Sequence, residues 1–455
     1  MEYPGSHFRR GYRLALLAVA ILIFFGLLPF VILYSAGYRL NLKSGWLRAA
    51  GGLSFDAIKP NNTEVFLNEI KIQDTFPIRL KNITPRAYSL RLFAPGYHSF
   101  EKLIAVRDQT TVYIKEINLI KQAEPKLIFS GDLAYLTGSA DGKWLAYVDN
   151  SSRTSSKLML ANAADRTARL LYKLPKKIEI KLSWSKAHSA LALATGTLPY
   201  KNLTIVSAAP SGSPFNLGAL VGAPVEKFAW NDELNPALYI ATAKNLFFFS
   251  LSTKQLIKIG PKNFGDWYVA ETKLWTVNEI FTTSTGKKII LTKDALGFSS
   301  QIALPENDPS SGLKSWRFLD ANGDTALVRA TSSNFAWIVN HRGASRLDAL
   351  FATRSRFNNH SILWSPSEAW LYAPGTPPML LSRTGDRLLD LYFLDKFDTL
   401  ALMWDNKISI FFPSYLVATD IAIGQFTGLT PDLNNKILYF TGTINNQTGL
   451  WSLAY

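Results

Sequence analysis

Histidine and carboxylate side chains are the groups of this 455-residue chain that could support catalysis or metal binding. The chain has five histidines: His7, His98, His188, His341 and His360. They form no H-x-x-x-H or H-x-H pair, so no local pattern indicates a metal site. The acidic pairs Asp232-Glu233 and Asp395/Asp398 could serve acid–base chemistry, which needs two carboxylates at one substrate. Both pairs fall in predicted turns, where hairpin structure is the simpler interpretation.

The absence of cysteine excludes disulfides, zinc–thiolate sites, iron–sulfur clusters and a cysteine nucleophile. The sequence contains no G-x-S-x-G nucleophile motif, and no glycine-rich phosphate-binding pattern follows a strand and opens a helix. We therefore predict that the chain is not an enzyme. We also predict no catalytic residue, no cofactor and no metal ion.

Residues 124–455 repeat a turn motif with a period of about 45 residues. Copies begin at positions 138, 184, 230, 319 and 364. A degenerate copy at Tyr268–Trp275 fills the double interval between 230 and 319, and two weaker copies follow at closer spacing, from Leu394 and Thr430. Each copy joins an aromatic or small polar residue, a turn and an apolar run. The motif residues, to which we assign a structural role, are Ser139, Asp141, Gly142, Trp184, Ser185, Trp230, Trp364, Ser365 and Pro366.

This motif resembles the aromatic-Ser-Pro-Asp-Gly-Lys turn of TolB-like and WD40-like β-propellers. The resemblance implies that the aromatic residue ends an innermost strand and packs between blades. Eight copies predict eight blades, with seven as the alternative, because the closer spacing after 364 suggests a blade without its outer strand. The last copy provides three strands, and residues 126–130 can supply the fourth and close the ring.

Residues 50–121 contain six predicted short strands, which would form a small antiparallel β-sandwich. Its turn and strand-start residues Pro60, Pro77, Gly96 and Tyr97 resemble the motif of the PEGA domain family. Asn68-Glu69 replaces the family's Asp-Gly, so we expect a different turn there. The resemblance implies a non-enzymatic β-sandwich of bacterial or archaeal envelope proteins.

Residues 14–34 form an uncharged apolar run that is long enough to cross a bilayer as a helix. It is longer than the core of a typical cleavable signal peptide, which favours an uncleaved anchor. Three basic residues precede the run and three follow it, and the closer packing of the first three favours a cytoplasmic N-terminus. We predict a cytoplasmic segment 1–13, a transmembrane helix 14–34 and a linker 35–49.

The net charge of +15 is spread over the chain instead of being concentrated on one segment, so we expect no nucleic-acid partner. The combined prediction is a mainly β, membrane-anchored extracytoplasmic binding or scaffold protein of the bacterial cell envelope. The propeller would recognise a protein or a glycan. One alternative is an enzyme acting on envelope polysaccharide from the propeller funnel, and another is a cytoplasm-facing scaffold with inverted topology. Three or more Asp, Glu or Arg side chains in the channel would favour the enzyme.

Overall fold

The computed structural model describes residues 10–35, 38–41, 46–185, 189–209, 212–231, 236–270, 273–282, 286–295, 298–304, 316–331 and 333–455. The chain divides into two compact units, Met1–Lys121 and Gln122–Tyr455. Of the features discussed above, residues 1–9, residues 36–37 and 42–45 of the predicted linker, His188 and the acidic pair Asp232-Glu233 lie outside the described residues.

The first unit begins with helix α1, Arg10–Ser35, which contains Pro29. Its 26 residues span roughly 39 Å at about 1.5 Å per residue, and its apolar side chains are exposed. The helix is long and apolar enough to cross a membrane, a property that signal sequences near an N-terminus share. Within the predicted linker, strands β1 (Tyr38–Asn41) and β2 (Trp46–Ala49) form an antiparallel pair.

Seven strands follow in the first unit. They are β3 Gly51–Asp56, β4 Glu64–Leu67, β5 Ile70–Ile72, β6 Ile78–Ile83, β7 Arg86–Phe93, β8 Phe100–Val106 and β9 Thr111–Lys115. They form two sheets, ordered β6-β3-β9 and β5-β4-β7-β8, with Phe55, Leu90 and Leu92 fully buried. The expectation of six antiparallel strands is corrected in two respects, because β5 is additional and β3 pairs with β9 in parallel.

The additional strand β5 depends on the turn at Asn68-Glu69. Both residues adopt positive φ, 47° and 63°, so the turn keeps the left-handed backbone that glycine usually supplies, contrary to our expectation. The Asn68 side-chain oxygen accepts a hydrogen bond from Ser89 N at 2.9 Å, and Arg91 pairs with Glu69 at 2.8 Å. These contacts to β7 hold the hairpin without glycine.

The PEGA-like motif residues lie at turns and strand starts of the same unit. Pro60 O accepts hydrogen bonds from Thr63 N and Oγ1 before β4, and Pro77 directly precedes β6. Gly96 has a φ of 77° in the turn between β7 and β8. Tyr97 is half-buried and forms an isolated bridge with Lys121.

The second unit contains eight four-stranded sheets within the described residues. Its first strand, β10 (Lys126–Ser130), belongs to the last sheet. The next four sheets are β11 Leu133–Gly138, β12 Trp144–Asp149, β13 Ser155–Asn162 and β14 Thr167–Pro175; β15 Ile180–Trp184, β16 Ala190–Thr195, β17 Asn202–Ser207 and β18 Phe215–Asn216; β19 Val225–Asn231, β20 Ala237–Thr242, β21 Asn245–Ser250 and β22 Gln255–Pro261; and β23 Trp267–Ala270, β24 Lys273–Thr282, β25 Gly286–Ala295 and β26 Phe298–Ala303. A short helix α2, Leu217–Val221, follows β18.

The remaining sheets continue in chain order. They are β27 Trp316–Asn322, β28 Thr325–Ala330, β29 Phe335–Asn340 and β30 Gly343–Asp348; β31 Phe351–Arg354, β32 Ser361–Trp364, β33 Glu368–Tyr372 and β34 Met379–Arg383; β35 Leu388–Phe393, β36 Leu400–Trp404, β37 Lys407–Phe412 and β38 Val417–Ile423; and β39 Gln425–Asp432, β40 Ile437–Ile444 and β41 Gln447–Ala454, which β10 completes.

The first strand of each sheet contacts the first strand of the next sheet, and β39 contacts β11. These eight strands therefore form a closed ring, which is the arrangement of a β-propeller. Strand β10 pairs with β41, as predicted, and is the fourth strand of the last sheet. The start and the end of the unit are therefore joined in one sheet. Second strands such as β16 are buried along their whole length, because neighbouring sheets cover both faces.

The turn after β11 shows why its motif residues have these types. Ser139 Oγ donates to Asp141 Oδ1 at 2.5 Å and accepts from Trp144 N at 2.9 Å. Gly142 has a φ of 73°, and a side chain there would lie 2.5 Å from Asp432 Oδ1 of the last sheet. Only glycine fits this turn.

Two motif tryptophans link neighbouring sheets. Trp230 Nε1 donates to Ser183 O at 2.9 Å, and Trp184 Nε1 donates to Thr137 O at 3.4 Å. Each indole therefore binds the innermost strand of the preceding sheet, which is the packing between blades that the resemblance implied.

The sheet order corrects the place assigned to Trp364. Trp364 ends β32, the second strand of its sheet, and Ser365-Pro366 lies in the turn to β33. Its indole Nε1 donates to Thr353 Oγ1 at 3.2 Å within the same sheet. The turn that follows the innermost strand β31 begins instead at Ser355.

A backbone hydrogen bond distinguishes turns after an innermost strand from the turn after the second strand β32. After an innermost strand, a backbone N–H donates to the carbonyl five residues on, as in Ser139 to Trp144 and Ser355 to His360. Ser365 N donates to Glu368 O, only three residues on. With Ser355 as the true position, the last three innermost strands begin at evenly spaced residues, Phe351, Leu388 and Gln425. The sheet also keeps four strands, so the missing outer strand that we considered is not observed.

Candidate binding site in the propeller ring

A cavity of about 710 Å³ lies where four successive innermost strands of the ring begin. Lys181 is the second residue of β15, Lys227 the third of β19 and Arg317 the second of β27, while Asp266 directly precedes β23. The charged side chains that line the cavity are Lys181, Glu226, Lys227, Lys262, Asp266 and Arg317. None of the motif residues predicted from the sequence lines it.

Lys227 and Asp266 form a buried ion pair in the cavity wall. Lys227 Nζ lies 2.9 Å from Asp266 Oδ1 and 3.1 Å from Oδ2, and it also donates to Trp267 O at 2.5 Å. Phe318 N donates to Asp266 Oδ2 at 2.8 Å, which fixes the carboxylate from the next sheet. Burial lowers the pKa of Lys227, and Asp266 opposes that shift.

The second carboxylate of the cavity, Glu226, is paired with the ammonium of Lys262. Both acidic side chains of the cavity are therefore neutralised by lysines. Four cations face two carboxylates, which leaves two positive charges uncompensated.

Lys181 and Arg317 carry those two charges. Neither forms an ion pair with a carboxylate in the part of the chain that the structure describes. Lys181 Nζ lies 5.2 Å from the centre of the Phe228 ring, and burial lowers its pKa despite the attraction of Asp266. The charges of Lys181 and Arg317 both lower the pKa of Lys227, so the three cations lie within electrostatic reach of one another.

Aromatic side chains form the apolar part of the cavity wall. They are Tyr200, Phe264, Trp267 and Phe318. Trp267 is fully buried beside Lys227, whose Nζ lies 5.4 Å from the indole centre. Burial raises the pKa of Tyr200, so its hydroxyl stays protonated and can donate a hydrogen bond. The wall combines hydrogen-bonding groups, aromatic surface and positive charge.

This arrangement favours an anionic ligand, because two cations that no described carboxylate pairs with lie in a partly enclosed space of low dielectric constant. The described residues contain no group of three His, Cys, Asp or Glu side chains that could hold a metal ion. Asp395 and Asp398 occupy the turn after β35, where Asp395 accepts from Phe397 N and Asp398 pairs with His360. Asp395 thus has the turn role that we expected, whereas the Asp398 carboxylate also contacts Asn358 and His360 in the turn of the preceding sheet.

The sequence patterns did not predict the cavity, because its charged residues are far apart along the chain. Lys227 and Asp266, for example, are separated by 39 residues. A signal was present, since each of the four charged residues lies three to five positions before the end of an innermost strand. Aligning charges by repeat position would have grouped them.

No family model matches the chain, and no curated protein matches it. Among solved structures, it is similar to the β-propeller domain of the Trilobed protease from Pyrococcus furiosus, with a TM-score of 0.40 and 12% identity, over 72% of this chain and 96% of that chain. The Dos1 propeller has a TM-score of 0.45 and 11% identity, over 73% and 95% of the two chains. These similarities carry no argument about function; the ring of sheets itself defines the second unit as a β-propeller.

Proposed function

We propose that this chain is a membrane-anchored, extracytoplasmic binding or scaffold protein of the bacterial cell envelope. Its propeller would recognise a protein or a glycan. The observation that carries the binding role is the cavity of about 710 Å³, in which Lys181 and Arg317 have no carboxylate partner among the described residues. Rigid innermost strands hold both side chains, and such a scaffold suits recognition better than a mobile loop does.

The envelope location rests on the first unit. The apolar helix α1 would anchor the chain in the bilayer, with its basic N-terminal flank in the cytoplasm. The resemblance of Pro60, Pro77, Gly96 and Tyr97 to the PEGA motif supports placing the β-sandwich outside the cytoplasm. The basic surface agrees with attraction to an anionic envelope.

The second candidate is an enzyme that acts on envelope polysaccharide. Glu226, Asp266 and Arg317 line one cavity, and this convergence is the pattern that we expected of an enzyme. Glu226 is, however, already paired with Lys262, and Asp266 accepts hydrogen bonds from Lys227 at both oxygens and from Phe318 N. A catalytic carboxylate must exchange a proton with the substrate, and these contacts already occupy both oxygens of Asp266 and one oxygen of Glu226. Binding is therefore the preferred function.

Location and activity are tested separately. Protease treatment of intact cells is expected to degrade the propeller before lysis, while protection until lysis would support the inverted topology. The purified full-length protein in detergent should co-sediment with isolated envelope fragments, and failure to co-sediment would contradict envelope binding.

The enzyme hypothesis is tested by measuring reducing ends released from the same fragments. Release by the wild-type protein that is absent in the Asp266→Asn variant would support the enzyme.

A further inference from the structure

We propose that the propeller cavity binds a small anionic ligand through a carboxylate or phosphate group held between Lys181 and Arg317. The inference rests on the proposed binding function and names the chemistry of its ligand. Lys181 and Arg317 belong to β15 and β27, which lie on opposite sides of β19 and β23 in the ring. Both side chains line the same cavity, so a ligand that fills it lies against both charged groups.

Lys227 has a different role from these two cations. Its ammonium already binds both oxygens of Asp266 and the carbonyl of Trp267. Asp266 is in turn fixed by Phe318 N. We therefore treat Lys227 and Asp266 as a rigid neutral pair. We assign the direct ligand contacts to Lys181 and Arg317, which form no ion pair within the described ranges.

The positive charge of Lys181 is maintained at an energetic cost to the fold. Burial lowers its pKa, because the charged form loses hydration that no carboxylate replaces within 4 Å in the described region. A bound anion would restore the lost interaction. Ligand binding should consequently favour the protonated lysine and take up a fraction of a proton at alkaline pH.

The size of the cavity favours a small molecule or the end of a chain. Its volume of about 710 Å³ falls within the roughly 300–1,000 Å³ of small-molecule sites. A stable protein interface would bury more than about 1,000 Å² of largely open surface. The aromatic residues Tyr200 and Phe264 offer apolar surface beside the cations, which suits an acidic sugar better than a bare ion.

Calorimetric titration of the full-length protein in detergent tests the proposal. The probes are glucuronate, glucose 6-phosphate, inorganic phosphate, uncharged glucose and a hexapeptide of glutamate. We expect binding of glucuronate or glucose 6-phosphate that weakens with added salt, and no binding of glucose. Tight binding of inorganic phosphate would identify the simple anion as the source of the same chemistry.

Charge-neutralising variants locate the site. Lys181→Gln and Arg317→Gln should each weaken binding at least about tenfold, since one charge-assisted hydrogen bond contributes about 1.5–3 kcal/mol. Lys181→Arg should retain binding. Lys173→Gln is the matched control, because Lys173 is exposed on the outer strand β14, and it should leave the affinity unchanged.

Three results would overturn the proposal. They are equal binding of glucose and glucuronate, unchanged affinity in both glutamine variants, or binding of the glutamate peptide alone. Sedimentation with envelope fragments distinguishes this failure from failure of the proposed function. If the titration gives one of these three results while the wild-type protein still sediments with envelope fragments, the envelope-binding role stands and the anion site is wrong.

Discussion

Asp266 and Asp320 are two buried carboxylates of the same ring, and each is paired with a cation from a neighbouring sheet. Asp266 pairs with Lys227 and Asp320 with Arg354. The two pairs are almost equally buried, since both cations are 27% exposed and the carboxylates 6% and 5%. Exposure therefore does not distinguish the two sites.

The surroundings of Asp320 do distinguish them. Asp320 accepts from Tyr268 OH at 3.0 Å, Ala321 N at 2.8 Å and Ser361 Oγ at 3.1 Å, and Arg354 Nε lies 3.2 Å from its Oδ2. These donors come from three successive sheets. Asp320 does not line the cavity, and Asp266 does. One carboxylate joins sheets together, and the other belongs to a wall that faces open space.

Replacing Asp320 should have the largest effect on stability. Asp320→Ala leaves Arg354 and two hydroxyl groups without their buried acceptor, and breaking such a pair costs about 3–5 kcal/mol. Chemical denaturation of the full-length protein in detergent measures the loss. The control is Asp386→Ala, whose carboxylate is 49% exposed and 3.9 Å from Lys407, and we expect almost no change there. Equal losses in the two variants would show that Asp320 does not hold the sheets together.

A third carboxylate, Asp390, occupies a similar position. It lies on β35 directly after a register shift in the strand pairing, as Asp320 does on β27. In the described residues it forms no ion pair. Burial raises its pKa from 3.8 to about 6, although hydrogen bonds from Leu391 N and Tyr392 oppose the shift. Its carboxylate is therefore a cost to the fold at neutral pH.

Asp390→Asn should accordingly stabilise the protein in a pH-dependent manner. Between pH 3.8 and about 6 the folded state keeps a proton that the unfolded state has lost, so wild-type stability falls as pH rises through that window. The gain of the variant should be near zero at pH 4 and reach at most about 3 kcal/mol at pH 7.5. Denaturation curves at the two pH values measure it. A gain that does not change with pH would contradict the raised pKa.

The turn motif, strand β31 and the cavity show which features could be predicted from the sequence. The turn at Ser139–Trp144 is built from residues that are close in the chain, so its motif and its period could be recognised. Strand β31 was missed because its four residues carry no motif, while Trp364-Ser365-Pro366 imitates one. The cavity could not be predicted, because the bond from Phe318 to Asp266 spans 52 residues and depends on the closed ring.

Asp266→Asn should destabilise the protein less than Asp320→Ala. Lys227 keeps its bond to Trp267 O and can reach water in the cavity, so we expect a loss of about 1–2 kcal/mol. Removing a negative charge from the cavity should also raise the affinity for glucose 6-phosphate or glucuronate several-fold. Asp320→Asn should not change that affinity. Weaker anion binding in Asp266→Asn would mean that its carboxylate contacts the ligand directly.

Lys181→Gln should have the smallest effect on stability, within about 0.5 kcal/mol at pH 7. Burial lowers the pKa of Lys181 below its ordinary 10.5, so the unfolded state binds the proton more tightly and wild-type stability rises as pH approaches that value. The variant lacks this rise, which denaturation curves at pH 7 and pH 10 would detect. A loss comparable to that of Asp320→Ala would make Lys181 a structural residue. A neutral or stabilising result, together with weakened anion binding, would mean that its buried charge is retained for a ligand, whereas the charges around Asp320 are retained for the fold.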